Sequence, residues 1–180
     1  MEPELDTAVK TLLLLRHAKS SWDDPALDDR DRPLAPRGRR AAERIGRYIQ
    51  DNEIRPALVL CSPARRARDT LDIVRPQLGA DVEVRTDDAI YTFDADDLLE
   101  RLQSVPSSIE SVMVVGHNPA LHDLASLLAG EGDSAALAQL REKFPTGALA
   151  VLDLGGTEWS GLGAGQAYLT GLVLPRQLEH

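Results

Sequence analysis

The stretch Thr11-Leu12-Leu13-Leu14-Leu15-Arg16-His17 places four consecutive leucines directly before an arginine and a histidine. A short apolar run without polar alternation is typical of a strand that is buried on both faces of a parallel sheet. In open α/β sheets, ligands bind beyond the carboxyl ends of such strands. The sequence therefore predicts a central strand over residues 10–16 and a functional role for Arg16 and His17.

The chain has 180 residues, the size of one domain, with an ordinary globular balance of 43% hydrophobic and 27% charged residues. We expect a single domain over residues 1–177 and interpret Leu178-Glu179-His180 as the remnant of an expression tag. No stretch approaches ~20 apolar residues, residues 1–10 lack the pattern of a secretory signal, and there is a single cysteine. These features favour the cytoplasm and predict no membrane partner.

The net charge of −9 argues against nucleic acid as a partner, because binding to phosphate backbones needs a broad cationic face. Arginines nevertheless gather in three places, at Arg16, in residues 30–40 and in residues 65–68. Such clusters can form a cationic pocket for a small anionic group. Four arginines, of which Arg39 and Arg40 belong to the second of these clusters, are interpreted instead as solvated residues of a helix surface: Arg39, Arg40, Arg44 and Arg47.

Predicted strands and helices alternate along the chain, which is typical of an α/β fold with a mainly parallel sheet. Strands are predicted over residues 10–16, 57–61, 81–86, 112–116 and 148–154, and helices over 37–52, 62–78, 94–102, 119–128 and 135–143. Ser62 is expected to cap the second helix, with Pro63 in its first turn. Residues 130–133 are predicted to form a turn, and residues 157–174 two strands, one of them antiparallel or at an edge.

Polar residues follow three of the predicted strands. Arg16 and His17 end the first, Ser62 and then Arg66 follow the second, and His117 follows the strand over residues 112–116. Because the carboxyl ends of parallel strands meet at one sheet edge, these side chains should share a cleft. Guanidinium groups bind phosphate oxygens in pairs, and a neutral imidazole, kept unprotonated by nearby cations, can attack phosphorus. The pattern therefore predicts phosphoryl transfer.

Four blocks of the sequence together resemble the histidine phosphatase superfamily, which has the phosphoglycerate mutase-like fold. Arg16-His17-Ala18 is similar to its Arg-His-Gly signature, and residues 31–34 (Asp-Arg-Pro-Leu) to the stretch before its first helix. Residues 62–70 resemble its Ser-Pro-x-x-Arg-Ala-x-x-Thr motif, and residues 115–119 its second-histidine motif. Four blocks in the family's order are far more specific than any one motif.

The resemblance implies a three-layer α/β/α sandwich with a mainly parallel mixed sheet and a role for each matching residue. His17 would be the nucleophile that becomes phosphorylated. The phosphoryl oxygens would be bound by Arg16, Arg66 and His117. Further substrate contacts would come from Arg32, Ser20 and Asp23. The resemblance implies neither a metal nor a cofactor.

The stretch between Arg66 and His117 leaves no room for the helical lid that covers the site in the sugar-phosphate mutases of this family, and it offers no assignable general acid. An open site without a strong acid suits phosphohistidine, because imidazole leaves more readily than an alkoxide. Residues 16–20 (Arg-His-Ala-Lys-Ser) are also similar to the SixA type of phosphohistidine phosphatase. We therefore predict such an enzyme in signal transduction, acting on a phosphorylated protein, for example a histidine phosphotransfer domain.

Other functions stay open at the level of the sequence. A phosphatase of the same superfamily that acts on a small phosphorylated metabolite has the same chemistry, and a catalytically silent phosphate-binding adaptor would keep the same pocket. A cysteine phosphatase built on Cys61 is disfavoured, because Ala67 stands where its arginine is expected. Arginines in the cleft also disfavour a metal site formed by His17, His117, His122 and Asp123. His122 is expected on a helix surface.

Overall fold

The computed structural model describes residues 9–178 and is built on a mixed sheet of seven strands. The strands are β1 (Thr11–Arg16), β2 (Leu58–Cys61), β3 (Glu83–Thr86), β4 (Ser111–Gly116), β5 (Ala129–Gly132), β6 (Leu149–Asp153) and β7 (Ala167–Val173). Their order across the sheet is β3-β2-β4-β1-β6-β7-β5. Only β6 runs antiparallel to its neighbours, β1 and β7. The predicted mainly parallel mixed sheet is confirmed.

Among the described residues, helices cover both faces of the sheet: α1 (Pro36–Asp51), α2 (Arg65–Val74), α3 (Ala95–Gln103), α4 (Ala120–Leu128) and α5 (Ser134–Glu142). Most of the buried apolar residues of α1 and α2 belong to one hydrophobic core, and those of α3, α4 and α5 to a core on the other face. The predicted three-layer α/β/α sandwich is thereby confirmed.

The leucine run of β1 supplies both cores. Leu12 and Leu14 pack with α3, α4 and α5, whereas Leu13 and Leu15 pack with α1 and α2. Successive side chains of a strand point to opposite faces, so a strand made only of leucines is stable between two helical layers and not at a surface. Burial of each leucine side chain contributes about 1.5–3 kcal/mol.

Helix α1 lies directly against the chain that leaves β1. Pro36 stands in its first turn, where the missing N–H of proline breaks no helical hydrogen bond. Ala42, Ile45 and Ile49 recur at helical spacing and form its buried face. A Cβ atom at Gly38 would overlap the Lys19 carbonyl oxygen, so only glycine permits this close approach. The first turn of α1 is therefore fixed beside the end of β1.

Helix α2 is shorter than the helix predicted over residues 62–78. The prediction was wrong at both ends, because α2 spans Arg65–Val74. Ser62 is not its N-cap, because the residue before the helix is Ala64 and α2 begins at Arg65. The helix ends at Val74 because Pro76 lacks the N–H of a helical hydrogen bond, and a 3₁₀ turn replaces the last turn.

The C-terminal part of the chain differs most from its prediction. Residues 130–133 are not a turn, because Ala129–Gly132 forms the edge strand β5, paired parallel to β7. Residues 157–174 contain one strand, β7, and a 3₁₀ turn at Trp159–Gly161, where two strands were predicted. The sequence Ala-Gly-Glu-Gly has no apolar alternation, so pairing with β7, and not local composition, makes β5 a strand.

Some predictions concern the ends of the chain. Residues 1–8 and two residues of the predicted tag, Glu179 and His180, lie outside the described residues. Leu178 packs against the core on the side of α1 and α2. In the part of the chain that the structure describes, every helix is too short or too polar to cross a membrane.

We expect Leu14→Ala to lower the free energy of unfolding by about 2–5 kcal/mol, because Leu14 is fully buried in the central strand and its truncation leaves a cavity. Leu127→Ala should cost less than about 1 kcal/mol, because Leu127 is 38% exposed on α4. Urea denaturation of both variants measures the difference. Equal losses would contradict the burial of β1 between two helical layers.

Candidate active site

Three adjacent parallel strands, β1, β4 and β2, end level with one another at one edge of the sheet. The residues that follow them are His17, His117 and Ser62. The backbone N–H of His17 donates to the Gly116 carbonyl oxygen (3.0 Å), and that of Ser62 donates to the Val115 carbonyl oxygen (3.0 Å). The ring centroids of His17 and His117 are 5.2 Å apart. Strand pairing therefore brings the two predicted histidines together.

The imidazole of His17 is held in one tautomer. Its Nδ1 lies 2.7 Å from the Ala18 carbonyl oxygen, which can only accept, so Nδ1 carries the proton and Nε2 keeps its lone pair. Burial, assisted by His117, Arg66 and Arg16, outweighs this hydrogen bond and lowers the pKa of His17 to about 3. His17 is therefore neutral at physiological pH, with one nitrogen free to act as a nucleophile.

His117 faces His17 and is oriented by Ser62. Its Nε2 lies 2.7 Å from Ser62 Oγ, which also accepts from the backbone N–H of Ala64 (3.2 Å). Burial, followed by the charge of Arg66, lowers the pKa of His117 to about 4, so this ring is also neutral. The Ser62 hydroxyl can donate to Nε2 or accept from it, so this contact is compatible with a proton on either ring nitrogen; Nδ1 is buried and has no hydrogen-bond partner among the described residues.

Three arginines line the same pocket, which has a volume of about 250 Å³. Arg16 ends β1, Arg32 precedes α1, and Arg66 lies in the first turn of α2. Each has a buried Nε–H that meets no acceptor within residues 9–178. Buried donors in native proteins are almost always paired, so this group of unpaired donors indicates a site for an anion with several oxygens.

The outer nitrogens of two of these arginines, Arg32 and Arg66, are fixed by Asp29, a residue that the sequence does not single out. The Asp29 carboxylate accepts hydrogen bonds from Arg66 Nη2 (2.9 Å), Arg32 Nη2 (3.1 Å) and the Tyr91 hydroxyl (2.6 Å). Burial alone would raise the pKa of Asp29, but these hydrogen bonds hold it well below its usual range. Asp29 therefore stays ionised and orients two guanidinium groups.

Six of the seven residues predicted for the site line this pocket: Arg16, His17, Ser20, Arg32, Arg66 and His117. Asp23 does not line it; this residue is exposed, and its backbone N–H donates to Ser21 Oγ (3.1 Å). Ser20 accepts a hydrogen bond from Arg32 Nη1 (2.7 Å) and so orients that arginine. Ser62, predicted as a helix cap at the end of β2 and in the shared cleft, does lie there but orients His117 and does not cap α2.

Helix α2 is tied to the loop that follows the nucleophile. Thr70 Oγ1 accepts from the backbone N–H of Ala18 (3.0 Å) and donates to the Arg66 carbonyl oxygen (2.7 Å). The Ala18 methyl group is fully buried against Leu34. The threonine of the motif at residues 62–70 therefore couples the position of Arg66 to that of His17.

Aromatic side chains stand at the mouth of the pocket. Trp22 is 70% exposed, and the Arg32 guanidinium lies 3.6 Å from the centroid of its ring. Phe93 is 51% exposed, and its ring centroid is 5.9 Å from that of His117. Exposed aromatic residues around a polar pocket are typical of surfaces that bind another molecule.

A larger cleft, of about 470 Å³, lies on the other side of Tyr91. Its acidic lining residues are Asp88, Asp97 and Glu100. Its arginine, Arg101, is already paired with Asp87 (2.6 Å). Because these carboxylates repel a phosphoryl group, the smaller pocket around His17 is the better site for one.

Cys61 and His122 lie outside the pocket. Burial raises the pKa of the Cys61 thiol to about 12, so it is protonated at neutral pH and is not a nucleophilic thiolate. His122 is half-buried, and its Nε2 lies 2.6 Å from the Leu140 carbonyl oxygen, so the prediction of a surface residue was wrong. Within residues 9–178, no three His, Cys, Asp or Glu side chains are grouped as a metal site requires.

The comparisons with known proteins agree with this geometry. The sequence profile of the histidine phosphatase superfamily (branch 1) matches residues 12–104. The uncharacterized protein Rv1276c of Mycobacterium tuberculosis is 39% identical over 164 residues, which cover 90% of this chain and 100% of that protein.

Two solved structures share the fold over almost the whole chain. A Nakamurella multipartitia protein, provisionally named phosphohistidine phosphatase SixA, superposes with a TM-score of 0.80 at 31% identity over 93% of this chain and 96% of that chain. An Agrobacterium tumefaciens protein with the same provisional name superposes with a TM-score of 0.78 at 30% identity. The match covers 92% of this chain and 98% of that chain. The profile match, the mycobacterial relative and these structures together show that the chain belongs to the histidine phosphatase superfamily and is a phosphatase with a structure of the SixA type.

Proposed function

We propose that this phosphatase hydrolyses phosphohistidine on proteins through an intermediate in which His17 is phosphorylated. The observation that carries the proposal is the free Nε2 of a neutral His17 in a pocket with buried, unpaired donors of Arg16, Arg32 and Arg66. Such donors stabilise the charge of a transferring phosphoryl group, and burial keeps the nucleophile unprotonated.

In the first step, Nε2 of His17 attacks phosphorus and the P–N bond to the substrate imidazole breaks. The electron pair of that bond stays on the leaving imidazole, whose other nitrogen already carries a proton, so the ring leaves neutral. His17 becomes positively charged, and the hydrogen bond from its Nδ1–H to the Ala18 carbonyl oxygen stabilises that charge. Arg16, Arg66 and His117 hold the equatorial oxygens during the transfer.

In the second step, water attacks the phosphorus of phosphorylated His17 and the new P–N bond breaks. Its electron pair returns to Nε2, which restores the neutral ring. Both hydrogens of the water leave with the product as dihydrogen phosphate. The arginines that hold the phosphoryl group in the first step hold it here too, because the phosphorus stays beside His17 throughout.

Two ionised carboxylates, Asp29 in the lining of the pocket and Asp87 directly after β3, favour phosphohistidine over sugar phosphates as substrate. Asp29 is held ionised by its hydrogen bonds. Burial would raise the pKa of Asp87, but hydrogen bonds from Arg101 and the Ala89 N–H hold it below its usual range. Neither residue is therefore suited to protonate an alkoxide, whereas a neutral imidazole leaves without such an acid.

The open mouth of the pocket favours a protein as substrate. Between β3 and β4, the structure has only a 3₁₀ turn at Asp88–Ile90 and helix α3, so this segment contains no lid domain. Trp22 and Phe93 are exposed where the surface of a partner would lie. A histidine phosphotransfer domain of a cytoplasmic signalling pathway fits this description, and the likeness to structures named SixA supports it. A small phosphorylated metabolite, the alternative substrate, would leave these aromatic side chains uncovered.

We expect His17→Ala to reduce the turnover of a phosphohistidine peptide at least about a thousandfold, because it removes the imidazole whose Nε2 attacks phosphorus. The matched control, His122→Gln, should keep nearly full activity, because His122 contacts the Leu140 carbonyl oxygen outside the pocket. Initial rates of phosphate release compare the variants. Retained activity in His17→Ala would overturn the proposal, as would preferential hydrolysis of sugar phosphates by the unmodified enzyme.

We expect the His17 imidazole to stay neutral from neutral pH down to about pH 4, because its pKa is lowered to about 3. An ordinary histidine is half protonated near pH 6.5. The unfolded chain binds a proton in that interval and the native chain does not, so the free energy of unfolding should fall as the pH drops from about 6.5 towards 3. Titration by ¹⁵N NMR, with His17 assigned from the His17→Ala variant, measures the pKa. A midpoint near 6.5 would contradict the expectation.

A further inference from the structure

A second groove opens beside the pocket around His17, and the charged side chains along it are all cationic. This basic groove has a volume of about 320 Å³. Its cationic side chains are Lys19, Arg37, Arg44, Lys143 and Arg176. Its apolar lining includes Ala41, Leu174 and Pro175. Lys19 and Thr146 line both the basic groove and the catalytic pocket, so the two lie side by side.

The walls of the basic groove are fixed to the backbone of the nucleophile. The backbone N–H of Gly147 donates to the carbonyl oxygens of both Arg16 and His17 (3.0 Å each). Gly147 has a φ of +76°, a conformation that favours glycine, and a Cβ there would meet the ring of Pro175. On the other wall, the N–H of Ala35 donates to the Lys19 carbonyl oxygen (2.9 Å) just before α1 begins. The distance from the groove to His17 is therefore set by backbone contacts.

One face of α1 contributes two of the cations. Residues 37, 41 and 44 recur at helical spacing and all line the basic groove. Arg44 is half-buried there, not fully solvated as the sequence predicts. The apolar residues beside it lower the local dielectric, which strengthens the attraction between a cation and a bound anion.

About half of the other lysines and arginines form ion pairs, whereas the cations of the basic groove form none within the described residues. Elsewhere eight cationic side chains lie within 4.0 Å of a carboxylate oxygen: Lys10, Arg30, Arg32, Arg39, Arg65, Arg66, Arg85 and Arg101. Within residues 9–178, none of the five groove cations has such a partner. In a chain of net charge −9, five cationic side chains along one groove give a local positive field that attracts an anion.

We propose that the basic groove is a second anion-binding subsite, which binds a carboxylate or phosphate group of the same substrate whose phosphoryl group is transferred to His17. The proposal depends on the proposed function only in assuming that the phosphoryl group is transferred to His17. On a phosphoprotein, acidic residues next to the phosphohistidine supply the anion. The basic groove then selects, among phosphohistidine proteins, those with an acidic surface beside the modified residue.

Two pairs of substrates test the basic groove and distinguish the sources of the anion. The first pair is a phosphohistidine peptide with glutamates next to the modified residue and the same peptide with alanines. The second pair is an aryl monophosphate and the aryl bisphosphate that has one more phosphate group on the same ring. For the unmodified enzyme, kcat/KM should be higher for the more anionic member of the peptide pair.

In Arg37→Glu/Arg44→Glu, the ratio of kcat/KM for the glutamate peptide to that for the alanine peptide should fall about tenfold at low salt. The change should shrink in ~1 M salt, where the Debye length is only about 3 Å. The matched control is Arg40→Glu/Arg47→Glu, with the same change of charge at two exposed positions of α1 that do not line the basic groove. Its ratio should stay close to that of the unmodified enzyme. Arg37→Gln/Arg44→Gln should give a smaller fall in the same direction.

Two outcomes would contradict the proposed subsite. In one, the kcat/KM ratios of both substrate pairs are unchanged in the variants at Arg37 and Arg44. In the other, the ratios fall equally in the control variant. A fall in the kcat/KM ratio of the aryl pair alone would support the subsite and would show that it binds the second phosphate of a small substrate. If the unmodified enzyme hydrolysed neither peptide, the proposed function would fail, and the aryl pair would still decide whether the basic groove binds an anion.

Discussion

The parallel pairing of β1 with β4 is the constraint on which the site depends. It places Arg16 level with Gly116, so that the next residue of each strand is a histidine facing the other. The leucines of β1 do not set this register, because both faces of the strand are apolar and buried. In the observed register, the backbone N–H groups of Arg16 and His17 donate to the Ala148 and Gly116 carbonyl oxygens on either side of the end of β1. A shift of one residue would separate the two imidazoles.

This placement resolves an electrostatic conflict. A phosphoryl site needs several cations, whereas a histidine nucleophile must stay unprotonated, and here the same cations and the same burial serve both needs. Asp29 prevents the arginines from repelling one another by accepting from two of them, and it leaves their buried Nε–H groups without a partner among residues 9–178. The chain therefore fixes Arg32 and Arg66 through their outer nitrogens in the lining of the pocket.

Most of the sheet could be predicted from the sequence, because β1, β2 and β4 are apolar runs that end in polar motifs. The prediction failed at β5, whose residues acquire strand geometry only from β7. It also failed to identify Asp29, since five aspartates lie in residues 23–31 and nothing in their spacing distinguishes the one that meets Arg66. The basic groove could not be predicted either, because Lys19, Lys143 and Arg176 are far apart in sequence and meet only in the folded chain.

The central claim is that His17 carries the phosphoryl group during turnover, and direct localisation of that group tests it best. The enzyme would be mixed briefly with a ³²P-labelled phosphohistidine peptide, quenched in base, digested and analysed by mass spectrometry. The account predicts label on Nε2 of His17, stable in base and lost in acid, as expected for a P–N bond. Label on His117 or Cys61, or turnover without any labelled enzyme, would contradict it.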